Sequence, residues 1–169
     1  MRYLMAFFLA VVLSSAVQAQ VSVSLGINLE SQPVWGPTGY DHVEYYYLPD
    51  IGVYYCVPQH RYFYFEGGRW IGRSSLPPRY RGFDLYNSYK VVLNERTPYL
   101  HDRVYRERYV SFKGRHDQHP IRDSHESKYF VNKNHPEHNN WVKQQKHDNG
   151  NGKAKGRDNN PGQNKKQDK

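Results

Sequence analysis

Glu66-Gly67-Gly68-Arg69 is the stretch that most limits how this chain can fold. Two successive glycines can both take the positive backbone angles of a two-residue hairpin loop, which residues with a Cβ resist. Glu66 and Arg69 then form the closing cross-strand pair, Phe65 faces Trp70, and Phe63 faces Gly72. A preceding strand over 53–57 would connect through Pro58-Gln59-His60-Arg61, setting Cys56 against Phe63 and Tyr54 against Phe65. Because side chains alternate along a strand, one face carries Tyr54, Cys56, Phe63, Phe65 and Trp70. The other carries Tyr55, Tyr62, Tyr64 and Ile71, beside Glu66, Arg69 and Arg73.

The first face reads as core, and the second admits two accounts. With Cys56 its sole cysteine, the chain forms no internal disulfide, so a small sheet must gather buried area from its 16 Tyr, 7 Phe and 3 Trp. On that account the second face is core as well. On the other, Tyr55, Tyr62, Tyr64 and Arg69 make a ligand-stacking face, with rings that pack while hydroxyls reach a sugar or other partner. Cys56, inside the aromatic strand pattern, reads as a small buried apolar side chain.

Other segments fill out the fold. VSVSLGIN, residues 21–28, alternates apolar and small or polar residues at the strand period, and further strands are expected over 43–47 and 90–93. Residues 74–88 are broken by Pro77, Pro78 and Gly82 and offer Phe83, Leu85 and Tyr86 as plugs against the sheet. Thr97-Pro98 suggests a helix start, with Thr97 as cap and Leu100, Val104, Tyr105 and Arg108 on one stripe. The fold class is therefore β-rich or α+β: a small antiparallel sheet, a meander with a Gly-Gly hairpin, plus one short helix and a disordered tail.

The ends carry different information. MRYLMAFFLAVVLSSAVQA starts with Arg2, continues in an apolar run too short to span a bilayer, and ends in slim residues suited to signal peptidase. Residues 1–19 thus read as a Sec signal peptide, and the protein as exported to the periplasm, the outer surface or beyond. Residues 20–112 form the globular domain on this reading, with ten Lys and Arg against nine Asp and Glu from residue 21 onward. Residues 113–169 carry thirteen against seven, hold most of the formal net charge of +8, and are rich in His, Asn and Lys. Their low content of large apolar residues predicts a disordered basic tail. With a mean hydropathy of −0.95, the chain is not expected to be an integral membrane protein.

Reaction motifs are sparse. The chain contains no G-x-S-x-G, no phosphate-binding glycine loop and no H-E-x-x-H. Asp41, Glu44, Asp50, Glu66 and Asp84 are scattered through turns and strand edges, where solvated or turn-stabilising roles are the default. Six of the nine His lie between His116 and His147, and the pairs His116/His119 and His135/His138 could hold zinc, copper or nickel if their segments turn. Lys153, Lys155, Arg157, Lys165 and Lys166 could attach the protein to polyanions by charge alone. Cytoplasmic nucleic acid is disfavoured by the leader and by the lack of recognition motifs.

The phrases YYYLPDI, GGRWI, SLPPRYRG and DLYNSYKVV, in that order between residues 21 and 109, resemble a family of small exported proteins of Bacteroidota. The resemblance implies an exported protein in or outside a Gram-negative envelope and brings no catalytic residue; Cys56 departs from its pattern. The expected function is a non-enzymatic envelope or surface interaction protein, free of cofactors, whose partners are anionic envelope polymers or glycans. A periplasmic metal-binding protein using the His-rich segment and a hydrolase with a cleft hidden from sequence are the competing readings.

Overall fold

The computed structural model describes residues 26–151. Strands β1 (Tyr45–Leu48), β2 (Val53–Cys56), β3 (Arg61–Glu66), β4 (Arg69–Arg73) and β5 (Val91–Leu93) form one antiparallel sheet in the order β4-β3-β2-β1-β5. The hairpin closes as its glycines require. Glu66 pairs with Arg69, Phe65 with Trp70 and Phe63 with Gly72, and Gly67 and Gly68 take φ of 59° and 77°. Between β2 and β3 the register differs from expectation by two residues, with Tyr54 opposite Phe63 and Cys56 opposite Arg61. His60, at φ 52°, turns the chain one residue earlier, and an even shift keeps every side chain on its expected face.

Both faces of the sheet are covered. On one, Tyr45, Tyr47, Tyr54, Cys56, Val91 and Leu93 pack with Tyr105, while Phe63, Trp70, Tyr99 and Tyr109 sit at the margin. The cover is a 3-10 turn, Pro98–His101, running into helix α1, Asp102–Arg108. Rings, not aliphatic side chains, face the sheet: Leu100 and Val104 are exposed, which corrects the expected stripe. Thr97 also makes no side-chain cap, since it adopts φ 46° and leaves the turn to Pro98. On the other face Tyr46, Leu48, Val53, Tyr55, Tyr62 and Tyr64 pack with Trp35, under Leu76, Tyr80, Phe83, Leu85 and Tyr86 of the irregular 74–88 segment.

The folded part does not stop at residue 112, as the composition had suggested. Backbone of 34–38 bonds to 119–122, through Thr38 to His119, Ile121 to Gly36 and Arg122 to Val34. Ile121 and Tyr129 are fully buried against Leu29, and buried Asn132 donates to the Leu29 and Gln32 carbonyls. Gln118 binds the backbone just before β5, accepting from Lys90 N and donating to Lys90 O at 2.8 and 2.9 Å. A polar helix α2, His138–Asn151, follows. Few large apolar residues suffice here because side-chain amides and an existing surface satisfy the backbone. Of VSVSLGIN, residues 26–28 are not in a strand, and residues 21–25, like the expected leader, lie outside the described residues.

Candidate functional site

Tyr55, Tyr62 and Tyr64 are 7%, 8% and 5% exposed, so the ligand-stacking reading of these three gives way to a second core. The Tyr55 ring meets Trp35 edge-on at 5.0 Å and Tyr62 at 4.8 Å, which occupies the surfaces a sugar would need. Its hydroxyl lies 3.3 Å from His60 Nδ1. Arg69 stands exposed at the hairpin tip, apart from the tyrosines it was grouped with.

What the second face does present is a cleft. Between the β3–β4 ribbon and the 74–85 segment lies a depression of about 610 Å³, lined by Tyr62, Tyr64, Arg73, Ser74, Ser75, Leu76, Pro78, Tyr80, Arg81 and Leu85. Strand alternation turns the Tyr62 and Tyr64 side chains to this face, where both line the cleft. Neither hydroxyl has a hydrogen-bond partner among the described residues, and neither is sealed from solvent, in contrast to that of Tyr47. Burial raises the Tyr62 phenol well above its ordinary value, so it stays a neutral donor. Arg73, Ser74, Ser75 and Arg81 are exposed along the rim.

The segment 61–81 that supplies the walls of this cleft is rich in arginine, and two of these side chains, Arg73 and Arg81, line it. Arg61, Arg69, Arg73, Arg79 and Arg81 are all exposed, and Glu66 is the one carboxylate between residues 61 and 81. Arg79 answers it at 3.7 Å and lies over the Tyr80 ring, while Arg61 donates to Gly72 O at 2.6 Å. Arg73 and Arg81 take no part in any ion pair among the described residues. Two other clefts lack this bias: one along β5 is lined largely by Tyr40, Tyr89, Val91, Tyr109 and Phe112, and one sets Arg122 beside Asp123 and Glu137.

The other candidates have structural partners. His116 Nδ1 contacts Asn87 O, His119 gives its carbonyl to Thr38, and His138 Nδ1 contacts Phe130 O. His135, 4% exposed, accepts from Glu137 N and meets Ser124 O with its other nitrogen. Among the described residues no three His, Cys, Asp or Glu side chains gather as a metal site. Asp84 accepts from Tyr86 N and Asn87 N, and the Asn87 side-chain bond foremost holds its carboxyl below the usual range. Asp41 pairs with Lys128, Glu44 with His42, and Asp50 accepts from Gly114 N. Cys56 is buried. Lys153, Lys155, Arg157, Lys165 and Lys166 lie outside the described residues.

Sequence reasoning did not find the cleft. Its far wall is the irregular 74–85 segment, whose return onto β3 and β4 has no periodic signature. The one available signal was five arginines against a single acid from 61 to 81.

The chain matches no family model, no curated protein and no solved structure in comparisons with all three. Among the described residues, no helix is long and apolar enough to cross a membrane.

Proposed function

We propose that the protein is an exported, non-enzymatic interaction protein that holds anionic envelope polymers or glycans. The observation that supports this reading is the segment 61–81, which exposes five arginines and holds a single carboxylate. The last 18 residues add six Lys and Arg against two Asp, so a second source of positive charge lies elsewhere in the sequence. Such a charge distribution attracts polyanions through summed potential and needs no unique contact.

Retention of the full chain on immobilised heparin or anionic lipopolysaccharide tests the proposal. Binding at low salt should fade as the screening length falls from about 10 Å near 0.1 M to about 3 Å near 1 M. Removing residues 152–169 should weaken retention, whereas single Lys→Ala changes at Lys153 or Lys165 should matter little. Equal retention on an uncharged matrix, or none on either polyanion, overturns the proposal.

A further inference from the structure

We infer that the cleft between the β3–β4 ribbon and the 74–85 segment is a binding site for a short acidic oligosaccharide, an inference that rests on the polyanion reading and assigns it a locus. Arg73 and Arg81 line the cleft, both exposed and both outside every ion pair of the described residues. A guanidinium in that condition is a fork of donors suited to a carboxylate or sulfate, which it engages through two parallel hydrogen bonds. Among the described residues no Asp or Glu lines the cleft to neutralise the pair or repel an anion.

The other polar groups select a polyol over a bare anion. Tyr62 and Tyr64 line the cleft with hydroxyls that are not sealed from solvent, and exposed Ser74 and Ser75 line it as well. A hydroxyl both donates and accepts, which is what a row of sugar hydroxyls requires of its partners. Tyr62 and Tyr64 are two residues apart on β3, hence roughly 7 Å along the strand, which spaces their hydroxyls for neighbouring groups of one extended ligand. Leu76, Pro78 and Leu85 supply apolar wall for the sugar's carbon face. Recognition runs through hydroxyls and guanidiniums, because Tyr62 and Tyr64 are only 8% and 5% exposed. The volume of about 610 Å³ suits a few sugar units and falls within the usual range of small-ligand sites.

Calorimetric titration of the full chain with a galacturonate tetrasaccharide, a heparin tetrasaccharide, maltotetraose and inorganic phosphate tests the assignment. At least one acidic tetrasaccharide should bind, and its identity separates a carboxylate from a sulfate ligand. The double variant Arg73→Gln/Arg81→Gln should lose about tenfold or more in affinity, the scale of one charge-assisted contact. Arg96→Gln/Arg108→Gln removes the same charge outside the cleft and should change affinity by less than about twofold. Tyr62→Phe, which keeps the packed ring, should weaken the sugar without altering the melting temperature.

Equal losses in both double variants would mean delocalised charge and overturn the cleft while leaving the polyanion reading intact. Phosphate or maltotetraose binding as tightly as the acidic tetrasaccharides would overturn it too. Failure of every oligosaccharide to bind, with heparin retention preserved, rejects the cleft alone. Loss of both rejects the two readings together.

Discussion

Lys90 shows how a single residue can work against its own fold. It is 1% exposed, its Nζ donates to Tyr86 O at 3.0 Å, and no carboxylate lies within ion-pair distance among the described residues. Burial pushes its ammonium down from 10.5 to about 8, with Asp84 opposing at longer range. Between those values the folded protein has released a proton that the unfolded chain still holds, so stability rises with pH across that interval. Above about 10 the buried tyrosines reverse the slope. Tyr46, Tyr54 and Tyr62 are kept protonated chiefly by burial, while the unfolded chain ionises them. Urea unfolding from pH 6 to 11 should therefore show greatest stability between about 8 and 10. Lys90→Met, which keeps most of the stem and removes the charge, should be more stable than the parent at pH 7 and lose the rise. A variant that is less stable at pH 7 and retains the rise would place its origin elsewhere.

Buried tyrosines differ among themselves for a related reason. The Tyr46 hydroxyl donates to Gln32 Oε1 at 3.0 Å, and that of Tyr54 to Asp102 Oδ1 at 3.0 Å. The Tyr47 hydroxyl is buried with no partner among the described residues. Tyr46→Phe should cost about 1–3 kcal/mol by stranding Gln32, whereas Tyr47→Phe should be neutral or stabilising. Thermal melts of the two single variants check this, and equal destabilisation would contradict it.

Among elements, the Gly67-Gly68 hairpin is the part most completely determined by local sequence. A Cβ at either glycine would meet nothing within 4 Å, so the obstacle to substitution is backbone conformation and not space. Gly67→Val and Gly68→Val should each cost about 1–3 kcal/mol, the usual scale of a strained backbone position. Melting temperatures equal to that of the parent would mean that the loop relaxes at no cost. The rest of the sheet was legible in kind and less so in detail. Alternation assigned faces correctly for Tyr54, Cys56, Phe63 and Trp70 even though the β2–β3 register was two residues off. The position of the four-residue loop set that register, and nothing local announces that His60 will adopt a left-handed angle. Helical spacing put Leu100, Val104, Tyr105 and Arg108 on one stripe; of these Leu100 and Val104 are exposed, while Tyr105 packs against the sheet, joined by the flanking Tyr99 and Tyr109. Their rings meet those of Tyr47 and Tyr54 at 6.3–6.5 Å, burying more area than a leucine would. The cleft was illegible for a related reason: it exists only once 74–85 returns across β3 and β4.

For the whole molecule, the decisive question is what residues 113–151 contribute. Their composition argues for a solvated tail, but the contacts argue for a clasp. Tyr129 is fully buried, and its hydroxyl accepts from Gly39 N at 2.7 Å. Asn132 holds the carbonyls of Leu29 and Gln32, and Gln32 in turn receives the Tyr46 hydroxyl at the back of the sheet. A chain of contacts thus runs from the C-terminal segment through the 26–43 region into β1, so the segment's loss should be felt in the core. Truncation after Phe112 should lower the melting temperature far more than truncation after Asn151, and should expose Trp35 enough to red-shift its fluorescence. Tyr129→Ala, with the chain otherwise intact, should cost about 3–5 kcal/mol, as for other large buried rings. If the domain ending at Phe112 melts cooperatively at the parent temperature, the clasp adds nothing to the core. In that case the buried contacts of Ile121 and Tyr129 would stabilise only the segment that carries them.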